Sequence, residues 1–325
     1  MTGDDSSMTP APPSATTRDK AGSGRLVWAA IAVTVVLWAS AFVGIRAAAA
    51  DYSPGALTLG RIAVGTLTLA LMLPATRALG RRRSTPQAAA PGTRFPRGRL
   101  LALILIWGVA WFGAYNVALN AAEQHIDAGT AALLVNLAPM IVAVLAGLFL
   151  GEGFPRRLIT GMFIALIGVL FIAVSTSTGK FDSLGVILGL VAAVLYGSAA
   201  TLQKSLLRQV DAPTMTWIGC LAGTIACLPF TPQLLQALGS APLSSTLAVV
   251  YLGIFPTAIA FTTWGYVLSR SSAGRTAAST YAVPAVVVLL SWLLLGEVPP
   301  AAALFGGALA LAGVAVATLR WRRRS

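Results

Sequence analysis

Charge is what this 325-residue sequence has least of. Asp, Glu, Lys and Arg make up only 10% of it, against about 25% in an ordinary soluble domain. Mean hydropathy is +0.80, which excludes a soluble globular protein. There is one histidine, His125, too little for a haem site, a zinc site or a His-based catalytic triad. The two cysteines, Cys220 and Cys227, share one apolar stretch, so a disulfide framework and a cysteine metal site are excluded. No Walker motif is present, and GALTLGRIAVG (55–65) carries no nucleotide-binding pattern. No cofactor and no metal are expected. An intramembrane enzyme needs paired acids or a Ser–His pair at depth, and neither is found.

What the sequence has in abundance is apolar residues, 57% of the total. Residues 1–25 are the exception, rich in Pro, Ser, Thr and Gly, and are expected to be a disordered tail. Beyond them lie ten runs of the length a membrane helix needs, roughly 20 residues. They fall near 26–48, 54–73, 100–119, 128–150, 158–174, 184–202, 213–230, 243–268, 273–295 and 301–319. Lipid offers no partner to a free backbone group, so these runs must be helices. The alternating 10-residue segments of a β-barrel are not seen.

The net charge of +13 finds its explanation in topology rather than in nucleic acid. With the N-terminus inside and ten crossings, 20 of the 23 basic residues fall on the inner side, seven of them in the loop 76–99. Only Lys180 falls outside. That bias expects both termini in the cytoplasm of a bacterial-type cytoplasmic membrane, with the basic loops against lipid headgroups.

The chain also repeats itself. Residues 128–169 match 273–314 without a gap, through Gly129/Gly274, Pro139/Pro284, Gly151/Gly296, Glu152/Glu297, Gly161/Gly306 and Gly168/Gly313. LWASAFVGIR (37–46) matches LYGSAATLQK (195–204). Five spans per half is an odd number, so the halves enter the membrane from opposite sides. The expected fold is an all-α polytopic membrane protein of ten transmembrane helices in two inverted five-helix repeats, 26–175 and 182–319, followed by a basic tail, 320–325. Inverted repeats are the architecture of secondary transporters, in which two similar halves rock about a central site.

Polar groups inside a bilayer are costly and so are functional candidates. Arg61 lies about seven residues into the second span. It reads either as a counter-charge for a substrate anion or as structural glue between helices. Tyr115, Asn116 and Asn120 lie together in the third span. Asn136 precedes Pro139 by one turn, as its mate Tyr281 precedes Pro284. A proline inside a helix opens a kink, so Pro139 and Pro284 are candidate hinges at the membrane midplane. Trp38 and Tyr196 are repeat mates, as are Ser40 and Ser198. With Trp264 they could line a passage or simply pack. Trp107 and Trp111 read as packing. Glu152 reads as an ion-pair partner of Arg156 or Arg157, or as a cap on the next helix.

The strings AGTAALLVNLAPMIVAVLAGLFLGE (128–152) and AGRTAASTYAVPAVVVLLSWLLLGE (273–297) resemble the EamA family of the drug/metabolite transporter superfamily. WASAFVGIR and LGRIAVG fit the same pattern, and the resemblance covers about 26–319. It implies a carrier that exports or exchanges small polar or amphipathic metabolites, foremost amino acids. Organic anions, sugar phosphates and drugs are alternatives within the superfamily. A channel or scaffold is the alternative of another class. Small multidrug exporters of this superfamily couple to protons through a carboxylate in the first helix, and VVLWASAFVG (35–44) has none. The expected partners are a small-molecule substrate and the lipid bilayer, with the chain a monomer or homodimer.

Overall fold

A computed structural model describes residues 15–83, 95–126, 128–176, 182–295 and 300–319. All regular structure among them is helical. We number ten rods: α1 (Ala15–Ala48), α2 (Pro54–Arg83), α3 (98–125), α4 (128–149), α5 (Arg156–Thr176), α6 (Ser183–Leu206), α7 (Ala212–Ala226), α8 (243–270), α9 (273–295) and α10 (Ala301–Thr318). Starts are set locally. The Asp182 carboxylate accepts from Leu184 N and that of Asp211 from Thr214 N, both at 3.0 Å, which satisfies amides that have no partner inside the helix. Pro54, Pro213 and Pro300 stand at or beside helix starts, where a missing N–H costs nothing.

Eight helices among the described residues are long and apolar enough to cross a membrane, or nine if one bent pair counts as a single span. Large apolar side chains such as Leu71 (83% exposed) and Phe149 (75%) cover the outside. A water-soluble fold would bury such residues, whereas lipid accepts them. The protein is thus a multi-pass membrane protein.

The helices depart from the expected runs in five places. α2 continues to Arg83, through the first part of the loop expected at 76–99. α1 begins at Ala15, so residues 15–25 extend the first helix instead of joining a disordered tail; adding turns to an existing helix is cheap, unlike nucleating one. Residues 1–14 and 320–325 lie outside the described residues. α7 stops at Ala226, short of Phe230, and bends by 51° into Leu228–Ser240. The reason is Pro229, which cannot donate a backbone bond and clashes with the preceding turn. α4 is two short helices, Ala128–Val135 and Ala138–Phe149, broken at Asn136 and Leu137. α9 is broken in the same way at Thr280 and Tyr281.

α3 and α8 carry a feature that the sequence did not announce. Each contains a π-helical stretch, Val109–Tyr115 in α3 and Gly253–Ile259 in α8. The two are repeat equivalents, since Gly108 and Phe112 correspond to Gly253 and Thr257. The wide turn leaves carbonyls without their usual amides, and side chains take them up. Asn116 Nδ2 donates to Trp111 O and Phe112 O at 3.1 Å, and Thr257 Oγ1 to Leu252 O at 2.8 Å.

Glycines set how the halves meet. A Cβ on Gly161 would strike Ala317 N and Gly313 O, and one on Gly306 would strike Gly168 O and Ile172 N. As the number rises along α5 it falls along α10, so these equivalent helices run antiparallel with their backbones in contact. The contacts also exchange under the repeat, for Gly306 and Ile172 are the mates of Gly161 and Ala317. The same holds nearer the centre. Gly253 approaches Arg61 O as Gly108 approaches Gly219 O, and Gly65 packs on Gly253 and Thr257 as Gly223 packs on Gly108 and Phe112. Thr66 and Thr224, themselves mates, share a hydrogen bond of 2.9 Å, which puts them on the pseudo-two-fold axis.

These contacts leave no room for side chains. Gly168→Leu is expected to destabilise the α5–α10 pair by about 1–3 kcal/mol or more, because the obstructing atoms are backbone. Gly239→Ala, which has nothing within 4 Å, should be close to neutral. Thermal unfolding in detergent, followed by size-exclusion fluorescence, separates the two.

Candidate functional site

A cavity of about 110 Å³ lies between the halves, several times what a single ordered water occupies. α1, α2, α3 and α4 supply most of its wall. Tyr196 of α6, Phe261 of α8, and Thr280 and Val283 of α9 supply the rest. Several of its polar groups stand where helices are irregular. Asn136 is at the break of α4 and Thr280 at the break of α9, while Tyr115 ends the π-turn of α3 and Asn116 follows it.

Arg61 is the one charged residue in the buried set of described residues, at 7% exposure, and it lines the cavity. Its Nε and Nη2 both donate to Thr257 Oγ1 at 3.3 Å. The guanidinium of the first half therefore docks on the π-turn of the second. Burying a cation is tolerable only with such partners, which is what a structural role for Arg61 expects. A buried guanidinium on a cavity wall is also a strong, always-ionised docking point for an anion.

Aromatic rings form part of the same wall. Trp38 packs on Trp264 at 5.1 Å, on Phe261 at 5.4 Å and edge-on to Tyr196 at 6.4 Å between centroids. Trp111 meets Tyr196 at 5.3 Å and Phe261 at 5.5 Å. Interlocked rings at these spacings add stability beyond the area they bury. They give the cavity an apolar ring surface beside its polar groups and its one cation.

The structure brings together Trp38, Arg61, Tyr115, Asn116, Asn136, Pro139 and Tyr196 of the residues singled out in the sequence. It places the others elsewhere. Asn120 is one turn beyond Asn116, donating to Thr58 Oγ1 at 2.9 Å. Ser40 accepts from Tyr251 OH at 2.6 Å beside a second, shallower groove between α1 and α8. Trp264 stands behind Trp38, its Nε1 donating to Gln203 Oε1 at 2.9 Å. Tyr281 is fully buried among Met162, Val169 and Ala310, and Pro284 is buried without lining the cavity. Ser198 is exposed on the outside of α6. The two prolines expected as hinges do not sit at the breaks: the helices break before Pro139 and Pro284, and the prolines lie in the first turn of the segments that follow.

Sequence reasoning missed Phe261 and Thr280 and assigned Trp111 to packing alone. The repeat held the signal, since Phe261 is the mate of Asn116 and Thr280 of Val135. Among the described residues no three His, Cys, Asp or Glu side chains gather as a metal site would require.

Comparison with known proteins supports the same assignment. The family model described as "EamA-like transporter family" matches residues 26–174 and again 183–319. A "Probable terminal-alkyne amino-acid exporter" of Streptantibioticus cattleyicolor is 38% identical over 291 residues, covering 89% of this chain and 92% of its own. A "Probable amino-acid metabolite efflux pump" of Salmonella typhimurium is 25% identical, covering 69% of this chain and 79% of its own. One crystal structure, 22% identical, shares the fold with a TM-score of 0.69 over 93% of this chain and 99% of that one. The chain is a membrane transporter rather than an enzyme, and it belongs to the EamA-like family of the drug/metabolite transporter superfamily.

Proposed function

We propose that this transporter exports small amphipathic metabolites, amino acids or compounds related to them, by alternating access at the central cavity. The observation that carries the reading is the cavity itself, which lies where equivalent helices of the two halves break and which joins one buried cation to a box of rings. That combination suits a solute with a carboxylate at one end and an apolar side chain at the other. Arg61 would meet the carboxylate, and Trp38, Trp111, Tyr196 and Phe261 the side chain. Tyr115, Asn116, Asn136 and Thr280 would hydrogen-bond the remaining polar groups. The names of the two relatives point the same way.

In this reading α4 and the bent α7 also cross the bilayer, making ten spans. The halves are inverted copies, both termini are cytoplasmic, and the protein resides in a bacterial-type cytoplasmic membrane. Antiparallel packing of α5 on α10 and the exchange of contacts under the repeat support the inversion. Pro139 and Pro284 hold the ends of the segments that would move. One chain supplies every wall of the cavity, so a monomer is the unit of transport even where two copies associate.

The test is metabolite profiling of cells and medium with and without overexpression, followed by counterflow of the exported compound in proteoliposomes. Flux should saturate, and unlabelled compound on the far side should accelerate it. A linear flux with no counterflow would identify a channel instead.

Arg61→Gln should cut counterflow of carboxylate solutes at least tenfold, the equivalent of about 1.4 kcal/mol, and should affect uncharged solutes less. Asn136→Ala should raise KM. Ser198→Ala, on the lipid side, should change neither KM nor the maximal rate. Equal losses in all three variants, each monodisperse, would remove the cavity as the site.

A further inference from the structure

Glu152 plays no part in the cavity, yet its surroundings are built with care. It stands between Gly151 and Gly153, whose φ values of 69° and 65° are left-handed, a conformation that side chains resist and glycine accepts. Its own amide donates to Ala146 O at 3.2 Å and closes the end of α4. The side chain does not cap the next helix of its own half. It crosses to the other half, where Oε1 accepts from Ala273 N at 2.6 Å and Oε2 from Gly274 N at 3.1 Å. These are the first two amides of α9. A Cβ on Gly274 would meet Leu158 Cδ2 at 2.8 Å and stand 3.7 Å from Glu152 Oε2, an ordinary contact.

The same turn is held from its other side. Lys204 Nζ of α6 donates to Leu268 O and Ser271 O, both at 2.7 Å, where α8 ends. A cation thus sits at the C-terminus of α8 and an anion at the N-terminus of α9, each matched to the local helix dipole. Glu152 and Lys204 also attract each other across the turn. Lys204, α8 and α9 belong to the second half and Glu152 to the first. The carboxylate therefore ties the halves together at the arginine-rich end of the bundle.

The cavity lies some way from that end. Thr280 and Val283 line it seven and ten positions beyond Ala273, or about 10–15 Å along a helix at 1.5 Å per residue. Trp264, which follows Phe261 along α8 toward the turn, packs on Trp38. In the opposite direction the cavity wall reaches Ile45 and Leu119, close to where α1 gives way to α2 and α3 to α4.

We infer that Glu152 is a releasable latch between the halves. For the cavity to open at the arginine-rich end, the start of α9 must leave the end of α4, and both charge-assisted bonds must break. Neutralising the latch raises the share of molecules open at that end. The inference rests on the transport reading above, but its test needs no solute.

The experiment is pulsed-EPR distance measurement on the full chain in lipid nanodiscs. Spin labels are placed at Arg157→Cys and Ser269→Cys, both exposed positions at this end, with Cys220 and Cys227 replaced by Ala. The parent should show one dominant short distance. Glu152→Gln should add a longer-distance population enriched about tenfold, the scale set by losing a hydrogen bond to a charged group. Lys204→Met should shift the same way. If Glu152→Gln is not monodisperse, Glu152→Asp, whose shorter side chain keeps the charge but cannot span both amides, should give an intermediate shift. Unchanged distances in a monodisperse variant would overturn the latch and leave the carrier standing. Opening of the variants without transport of any compound would count against the carrier reading alone.

Discussion

Lipid tails are as apolar as leucine, so helices in a bilayer gain little by hiding apolar surface from one another. They are held instead by close contact, which needs small residues where backbones meet. In this protein that constraint is met mainly by glycine at the seam between the halves. Gly161, Gly168, Gly306 and Gly313 let α5 lie on α10 with main chains touching. Gly65, Gly108, Gly219, Gly223 and Gly253 do the same where α2 meets α8 and α3 meets α7. Because each contact has a counterpart under the repeat, one packing solution is used twice. Thr66 and Thr224, bonded to each other, mark the line between.

The cavity lies where this regular packing gives way. α4 and α9 break and α3 and α8 widen into π-turns, all at equivalent places in the two halves. Irregular backbone at membrane depth survives only where protein or a cavity takes up its polar groups, and side chains such as Asn116 and Thr257 share that task. Function then breaks the symmetry. Arg61 corresponds to Gly219, Asn116 to Phe261 and Asn136 to Tyr281. One half brings the charge and both side-chain amides, and the other brings Thr280 with the rings of Tyr196 and Phe261 to the same space. A solute with unlike ends fits such a cavity better than a symmetric one would.

The helical class, the repeat and part of the cavity could be read in the sequence, since long apolar runs and matched prolines have a single physical reading in lipid. The helix interruptions were legible only in part. Pro139 and Pro284 announced two breaks, but the break falls a turn earlier because proline is welcome in the first turn of a helix. The π-turn of α3 contains no proline, and only Asn116, which bonds the freed carbonyls, hints at it. Pro229 would have shortened the seventh run had its effect on the preceding turn been weighed. Ser40 and Ser198 misled because repeat mates share a place in the fold but not a face toward the cavity. Glu152 was seen as a cap, yet no spacing along the chain could reveal that it caps a helix 121 residues away.

The proposed transport cycle requires that the halves be inverted, and labelling from one side of the membrane tests that inversion directly. Ala50 and Arg208 are equivalent exposed positions, just past α1 and just past α6. Single cysteines are introduced at each in a background lacking Cys220 and Cys227, and intact cells are treated with a membrane-impermeant maleimide. Inverted halves require that the cysteine at 50 reacts at once and that the one at 208 reacts only after the membrane is opened. Reaction of both from the same side would contradict the inversion and everything built on it.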